Sequence, residues 1–144
     1  SVTLSPIRMP PMALAKAKGA KRALPLPVSV PSHCALMRPA AEKLAAYLQS
    51  VTLKAPAVAV LHNADVKSYN EGAAIKDALV RQLYSPVRWA ETVRQFAAQG
   101  IGHVVECGPG KVLAGLNKRI DGNLQSLALT DTAAVEQAIA TLKS

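Results

Sequence analysis

The chain has 144 residues, 50% hydrophobic with only five aromatics, and a formal net charge of +8. That length suits one domain of ordinary size with a core of Ala, Val and Leu, and no apolar run approaches the roughly 18 residues of a membrane span. Arg8, Lys16, Lys18, Lys21 and Arg22 put +5 into the first 22 residues with no acid among them, so the basic excess is local and suits an anion or an acidic partner, with a solvated helix face as the plain alternative.

Ser1 to Pro11 holds Pro6, Pro10 and Pro11 and no clear period, and reads as a loop or ragged end. Ser1 to Leu24 does not read as a signal peptide, because its basic residues follow its apolar ones and recur among alanines. A soluble, cytoplasmic protein is expected. Met12 to Ala23 is rich in Ala and Lys and predicts a helix that Gly19 stops. No aromatic residue interleaves with its charge, and no zinc-finger spacing accompanies it, which argues against a nucleic-acid partner.

Leu24 to Val30 (LPLPVSV) predicts a strand at an edge or entered from a loop. Pro31-Ser32-His33 is a turn, with Ser32 the expected N-cap of a helix over 34–49. Leu36, Ala40, Leu44 and Leu48 recur there every four residues, and Pro39 marks its first turn. Ala57 to Leu61 (AVAVL) predicts a second, buried strand. Helices follow over 71–84 and 87–99, split by Ser85-Pro86 and closed by Gly100. His103 to Cys107 predicts a strand, Gly108-Pro109-Gly110 a tight turn, and 111–120 a helix. Ser126 to Leu129 is a fourth strand. The last helix covers 132–142, capped by Asp131 or Thr130. Alternating strands and helices predict an α/β chain with a parallel sheet and helices on its faces. In such sheets ligands gather at the carboxyl ends of the strands.

His33 lies at such an end. A single histidine is more often structural than catalytic, and this position narrows the difference. His62 and His103 have no partner at helical spacing, so a metal site is not expected. Gly108-Pro109-Gly110-Lys111 lacks the full spacing of either a GxxxxGK[ST] or a GxGxxG loop and reads as a sharp strand-to-helix turn. Cys34 and Cys107, far apart and without a CxxC, read as small core residues. No GxSxG elbow occurs.

Four segments in order carry a resemblance. They are Gly19 to Met37 (GAKRALPLPVSVPSHCALM), Ala78 to Trp89 (ALVRQLYSPVRW), Glu106 to Leu113 (ECGPGKVL) and Gly115 to Ile120 (GLNKRI). Over about residues 12 to 144 the chain resembles the C-terminal portion of the bacterial malonyl-CoA:acyl carrier protein transacylases of fatty-acid synthesis.

The resemblance implies the C-terminal part of an α/β-hydrolase-like core. Residues 12–28 would end an inserted ferredoxin-like subdomain, residues 29–144 would belong to the core, and residues 1–11 stay unassigned. It implies malonyl transfer from coenzyme A to the phosphopantetheine thiol of acyl carrier protein through a malonyl-serine ester. No cofactor is implied, since the coenzyme A thioester is substrate. His33 matches the catalytic histidine, Gln82 the residue whose main-chain carbonyl orients it, and Lys21 and Arg22 the basic approach used by the substrates. The family's nucleophilic serine, oxyanion-hole amides and carboxylate-binding arginine lie upstream of the matching residues. The partners implied are malonyl-CoA, acyl carrier protein and the missing N-terminal half of the enzyme. The chain by itself is then expected to be inactive, and to expose apolar surface that the upstream strands would cover. A fragment that only binds coenzyme A or acyl carrier protein is the alternative.

Overall fold

The computed structural model describes residues 10–24 and 30–143. The chain divides into two units, Ser1–Val87 and Arg88–Ser144. Among the described residues no helix is long and apolar enough to cross a membrane.

In the first unit α1 spans Pro10–Ala17. It ends just before Gly19, the stop the sequence predicts, and Gly19 turns left-handed (φ +91°). The Ala20 amide then reaches back to the Ala15 carbonyl at 2.9 Å, and that of Gly19 to Lys16 at 3.0 Å. This pairing satisfies helix-end carbonyls and ends the helix. The strand expected over Leu24 to Val30 falls largely on residues 25–29, outside the described residues.

The helix expected over 34–49 comes in two pieces, a single 3₁₀ turn at Ala35–Met37 and then α2, Arg38–Gln49. Proline is the reason. Pro39 has no N–H to give the Ala35 carbonyl, and its ring would press on it, so an α-helix cannot run through from 34. At the second position of α2 the same proline removes a donor that would be unpaired anyway. Ser32 caps neither piece; Cys34 and Met37 hold the cap positions without a side-chain cap bond.

The run 57–61 corrects a sequence expectation. Only Leu61 of it is strand: β1 (Leu61–His62) pairs antiparallel with β2 (Lys67–Ser68). Val58 and Val60 are 77% and 50% exposed. An apolar run becomes a buried strand only when neighbouring strands and helices receive it, and residues 57–60 have no ladder partner among the described residues. Next comes α3, Gly72–Tyr84, which packs on α2. Ala41 and Leu48 of α2 and Ala78 of α3 are buried. Ser85 is extended (φ −109°, ψ 148°), the conformation that the following proline imposes.

The second unit opens with α4, Trp89–Ala98. Its end repeats the device of α1: Gly100 has φ +77° and the Ile101 amide reaches the Phe96 carbonyl at 3.1 Å. Strand β3 (His103–Glu106), helix α5 (Val112–Ile120) and strand β4 (Gln125–Ala128) form a parallel β-α-β unit in which His103 pairs with Gln125 and Glu106 with Ala128. The last helix, α6, covers Thr132–Lys143. Asp131 Oδ1 accepts from the Ala134 amide at 2.8 Å and is its cap. Val93, Leu124 and Ala138 form the buried apolar core, with Thr92 and Asn117 buried beside them. The parallel sheet read from the sequence is present as this pair of strands.

Candidate functional site

The site forms where the turn before α2 meets the end of α3. An α-helix leaves its last carbonyls unpaired, and here the sequence makes the vacancy certain. The Gln82 carbonyl would accept from residue 86, which is proline and has no N–H. His33 takes that carbonyl: its Nδ1 lies 3.0 Å from the Gln82 oxygen. The His33 amide donates to the next carbonyl, that of Leu83, at 3.1 Å. Ring and main chain of His33 are thus both pinned to the last turn of α3.

The contact decides the tautomer. A carbonyl only accepts, so Nδ1 carries the proton and Nε2 keeps its lone pair. An imidazole held this way can take a proton at Nε2. It is the Gln82 main chain that contributes.

His33 is also strained, with φ +60°, a region where non-glycine residues are uncommon and which clusters at functional sites. Short bonds keep the turn closed, with the Ser32 amide on the Val30 carbonyl at 2.9 Å and Cys34 Sγ on the Pro31 carbonyl at 3.2 Å.

Next to Gln82, Arg81 carries a polar network that sequence spacing reveals only in part. Its Nε donates to Asp77 Oδ2 at 2.6 Å and its Nη2 to Asp65 Oδ2 at 3.0 Å. Tyr69 Oη donates to the same Asp65 oxygen at 2.6 Å. Burial pushes the Asp65 carboxyl up, but the hydrogen bonds from Tyr69 and Arg81 outweigh it and hold the group below the usual carboxylate range. Asp65 in turn raises the Tyr69 hydroxyl, and Asp77 and Asp65 raise Arg81. The Asp77–Arg81 pair is visible as a four-residue helical spacing. The Asp65 contact, sixteen positions away, has no such signal.

The other sequence candidates stand apart. Lys21 and Arg22 are exposed beyond α1. Residues 25–29, outside the described set, lie between them and His33 along the chain. His62 is buried with its ring 5.6 Å from that of Tyr69, a packing role. His103 is exposed at the start of β3. Both cysteines are free, and neither is in the core as expected: Cys34 is half-buried and Cys107 is exposed. Among the described residues no three His, Cys, Asp or Glu side chains gather as metal ligands would. At Gly108 to Lys111 the helix start is already occupied: Glu106 Oε2 accepts from the Ala114 amide at 2.8 Å. A carboxylate sits where a bound anion would, as a strand-to-helix turn needs and a phosphate loop does not.

No family model matches the chain. Among curated proteins it is 60% identical over 127 residues to the malonyl CoA-acyl carrier protein transacylase of Salmonella typhimurium, covering 88% of this chain and 41% of that protein. Among solved structures it superimposes with a TM-score of 0.84 on the acyl-carrier-protein S-malonyltransferase of Burkholderia pseudomallei at 56% identity, covering 90% of this chain and 42% of that one. A malonyl-transacylase solved in complex with a type II PKS acyl carrier protein gives a TM-score of 0.86 at 53% identity, covering 90% of this chain and 42% of its own. The chain spans about two fifths of the length of the curated relatives it matches. In sequence and in fold it corresponds to the C-terminal portion of the malonyl CoA-acyl carrier protein transacylases.

Proposed function

We propose that this chain, as the C-terminal portion of a malonyl CoA-acyl carrier protein transacylase, supplies the general base of malonyl transfer from coenzyme A to acyl carrier protein. The observation that carries the proposal is the His33 Nδ1–Gln82 carbonyl contact of 3.0 Å, which leaves Nε2 free to work. The nucleophilic serine, the oxyanion-hole amides and the arginine that holds the malonyl carboxylate come from residues upstream of those matched here.

The chemistry follows from the tautomer. Nε2 takes the serine hydroxyl proton as the oxygen attacks the thioester carbon. The carbon–sulfur bond breaks, and the proton passes from Nε2 to the departing coenzyme A thiolate. In the second half Nε2 takes the proton of the pantetheine thiol, whose sulfur attacks the malonyl-serine ester, and returns it to the serine oxygen. The imidazolium lives briefly, so a neutral carbonyl serves where other triads use a carboxylate. No cofactor takes part.

The remaining assignments complete the reading. Residues 29–144 form the last part of an α/β-hydrolase-like core, and residues 12–28 end an inserted ferredoxin-like subdomain. Lys21 and Arg22 draw in the phosphates of coenzyme A and the acidic carrier protein. The reaction belongs to fatty-acid synthesis in the cytoplasm.

Intact-protein mass spectrometry with malonyl-CoA tests the proposal, using the chain alone and with the upstream residues of a relative supplied in trans. The malonyl adduct is expected on the upstream partner only. Changing His33→Ala should slow its formation by about 10²–10⁴-fold, the usual worth of a positioned base. An adduct on this chain itself, or full activity of His33→Ala, overturns the assignment.

A further inference from the structure

We infer that Asp65, acting through Arg81, is a positioning residue that holds the Gln82 carbonyl in line with His33. The inference rests on the reading of His33 as general base. Its starting point is the end of α3. Because residue 86 is proline, the Gln82 carbonyl has no helical N–H to fix it, and the backbone is already extended at Ser85. Besides the His33 amide on the Leu83 carbonyl, side-chain tethers hold the last turn in place.

Two such tethers are present. Arg38 lies over the Tyr84 ring, 4.5 Å from its centroid, and Arg81 is bonded to Asp65 and Asp77. The two carboxylates are not equivalent. Asp77 is 66% exposed and lies on α3 itself, so it cannot fix that helix against anything else. Asp65 is 18% exposed and belongs to the β1–β2 turn, so its bond with Arg81 ties the helix end to a separate element.

That turn is built to present Asp65. Val66, next to it, has φ +57°, which is an outlier for a β-branched residue. The Val66 amide closes onto the His62 carbonyl at 2.9 Å. Tyr69 holds Asp65 Oδ2 with its hydroxyl while its ring packs on His62. Strain of this kind persists only when the surroundings over-determine it. His33 and Val66 are the non-glycine residues with positive φ among those described. One carries the proposed base, and the other adjoins the carboxylate that steadies the base's acceptor.

The test reads the imidazole directly and the activity separately. In the chain labelled with ¹⁵N-histidine, Asp65→Asn should lower the fraction of His33 carrying its proton on Nδ1. With the upstream residues of a relative supplied in trans, the same variant should lose about ten-fold in kcat with KM for malonyl-CoA unchanged, the signature of misplacement rather than lost binding. Tyr69→Phe keeps the ring against His62 and removes only the hydroxyl, so it decides the matter if Asp65→Asn does not fold. It should shift the tautomer in the same direction with about a two- to three-fold loss of kcat. Asp65→Glu, which keeps the charge, should recover part of both readouts. A folded variant with wild-type tautomer and wild-type kcat overturns the inference. Retained transfer by His33→Ala would instead defeat the assignment of the base, and the tautomer measurement would still report whether Asp65 positions the ring.

Discussion

The two units are held by different means. The first keeps the turn at His33 in place with polar contacts across distant parts of the chain: His33 on the carbonyls of Gln82 and Leu83, and Asp65 on Arg81 and Tyr69. It bears its positive φ values on His33 and Val66 as well as on Gly19. The second unit is a parallel β-α-β layer with α4 packed on α5, Val93, Leu124 and Ala138 buried, and positive φ among its described residues only on Gly100 and Gly108. Where strain is avoidable, glycine removes it at little cost. Where a side chain must stand at one atom, the strain is kept and surrounding bonds hold it.

The comparison predicts that the two units respond to different perturbations. The largest stability loss should come from the second unit. Val93 is fully buried, and Val93→Ala should cost about 2–3 kcal/mol through lost burial and the cavity left behind. Thermal or urea unfolding would measure this, while the His33 ¹⁵N spectrum should stay unchanged. A spectrum that moved with Val93→Ala would join the two units in one cooperative structure and break the contrast.

The first unit should respond to acid instead. The folded-state carboxyl of Asp65 lies below its ordinary value, so its contribution is present above the unfolded value of about 3.9 and is lost as pH falls through the lower folded one. Melting temperature should therefore be insensitive to this group from neutral pH down to about 5. It should fall below pH ~4, and Asp65→Asn should flatten that acid limb. An identical limb in the variant would mean that the network adds no stability.

The smallest effect sharpens the account of the second unit. Asp131→Ala removes the cap of α6, whose carboxylate accepts from the Ala134 amide, and should cost about 1 kcal/mol in denaturant unfolding. A loss much above that would give Asp131 a part in packing as well.

Much of this arrangement was legible in the sequence for local reasons. Helices α3, α4, α5 and α6 lie within two residues of their predicted bounds, because apolar periodicity and the stops at Ser85-Pro86 and Gly100 act over a few residues. The strands at 103 and 125 declared themselves as β-branched or apolar runs beside a helix of crossover length. The resemblance carried by four ordered segments placed His33 and Gln82, and Pro86 supplies a physical reason that was open to reading: four residues after Gln82, it frees that carbonyl.

What the sequence by itself determined is therefore the local and the covalent: where helices stop, where glycine can turn, which carbonyl has no donor. Tertiary structure alone decided that AVAVL stays largely exposed, since burial of a run depends on neighbours far along the chain. It also decided that Ser32 caps nothing and that Asp65 meets Arg81 across sixteen positions. Contacts between distant residues leave no periodic trace, because the spacing that brings them together is set by the folded path of the chain between them.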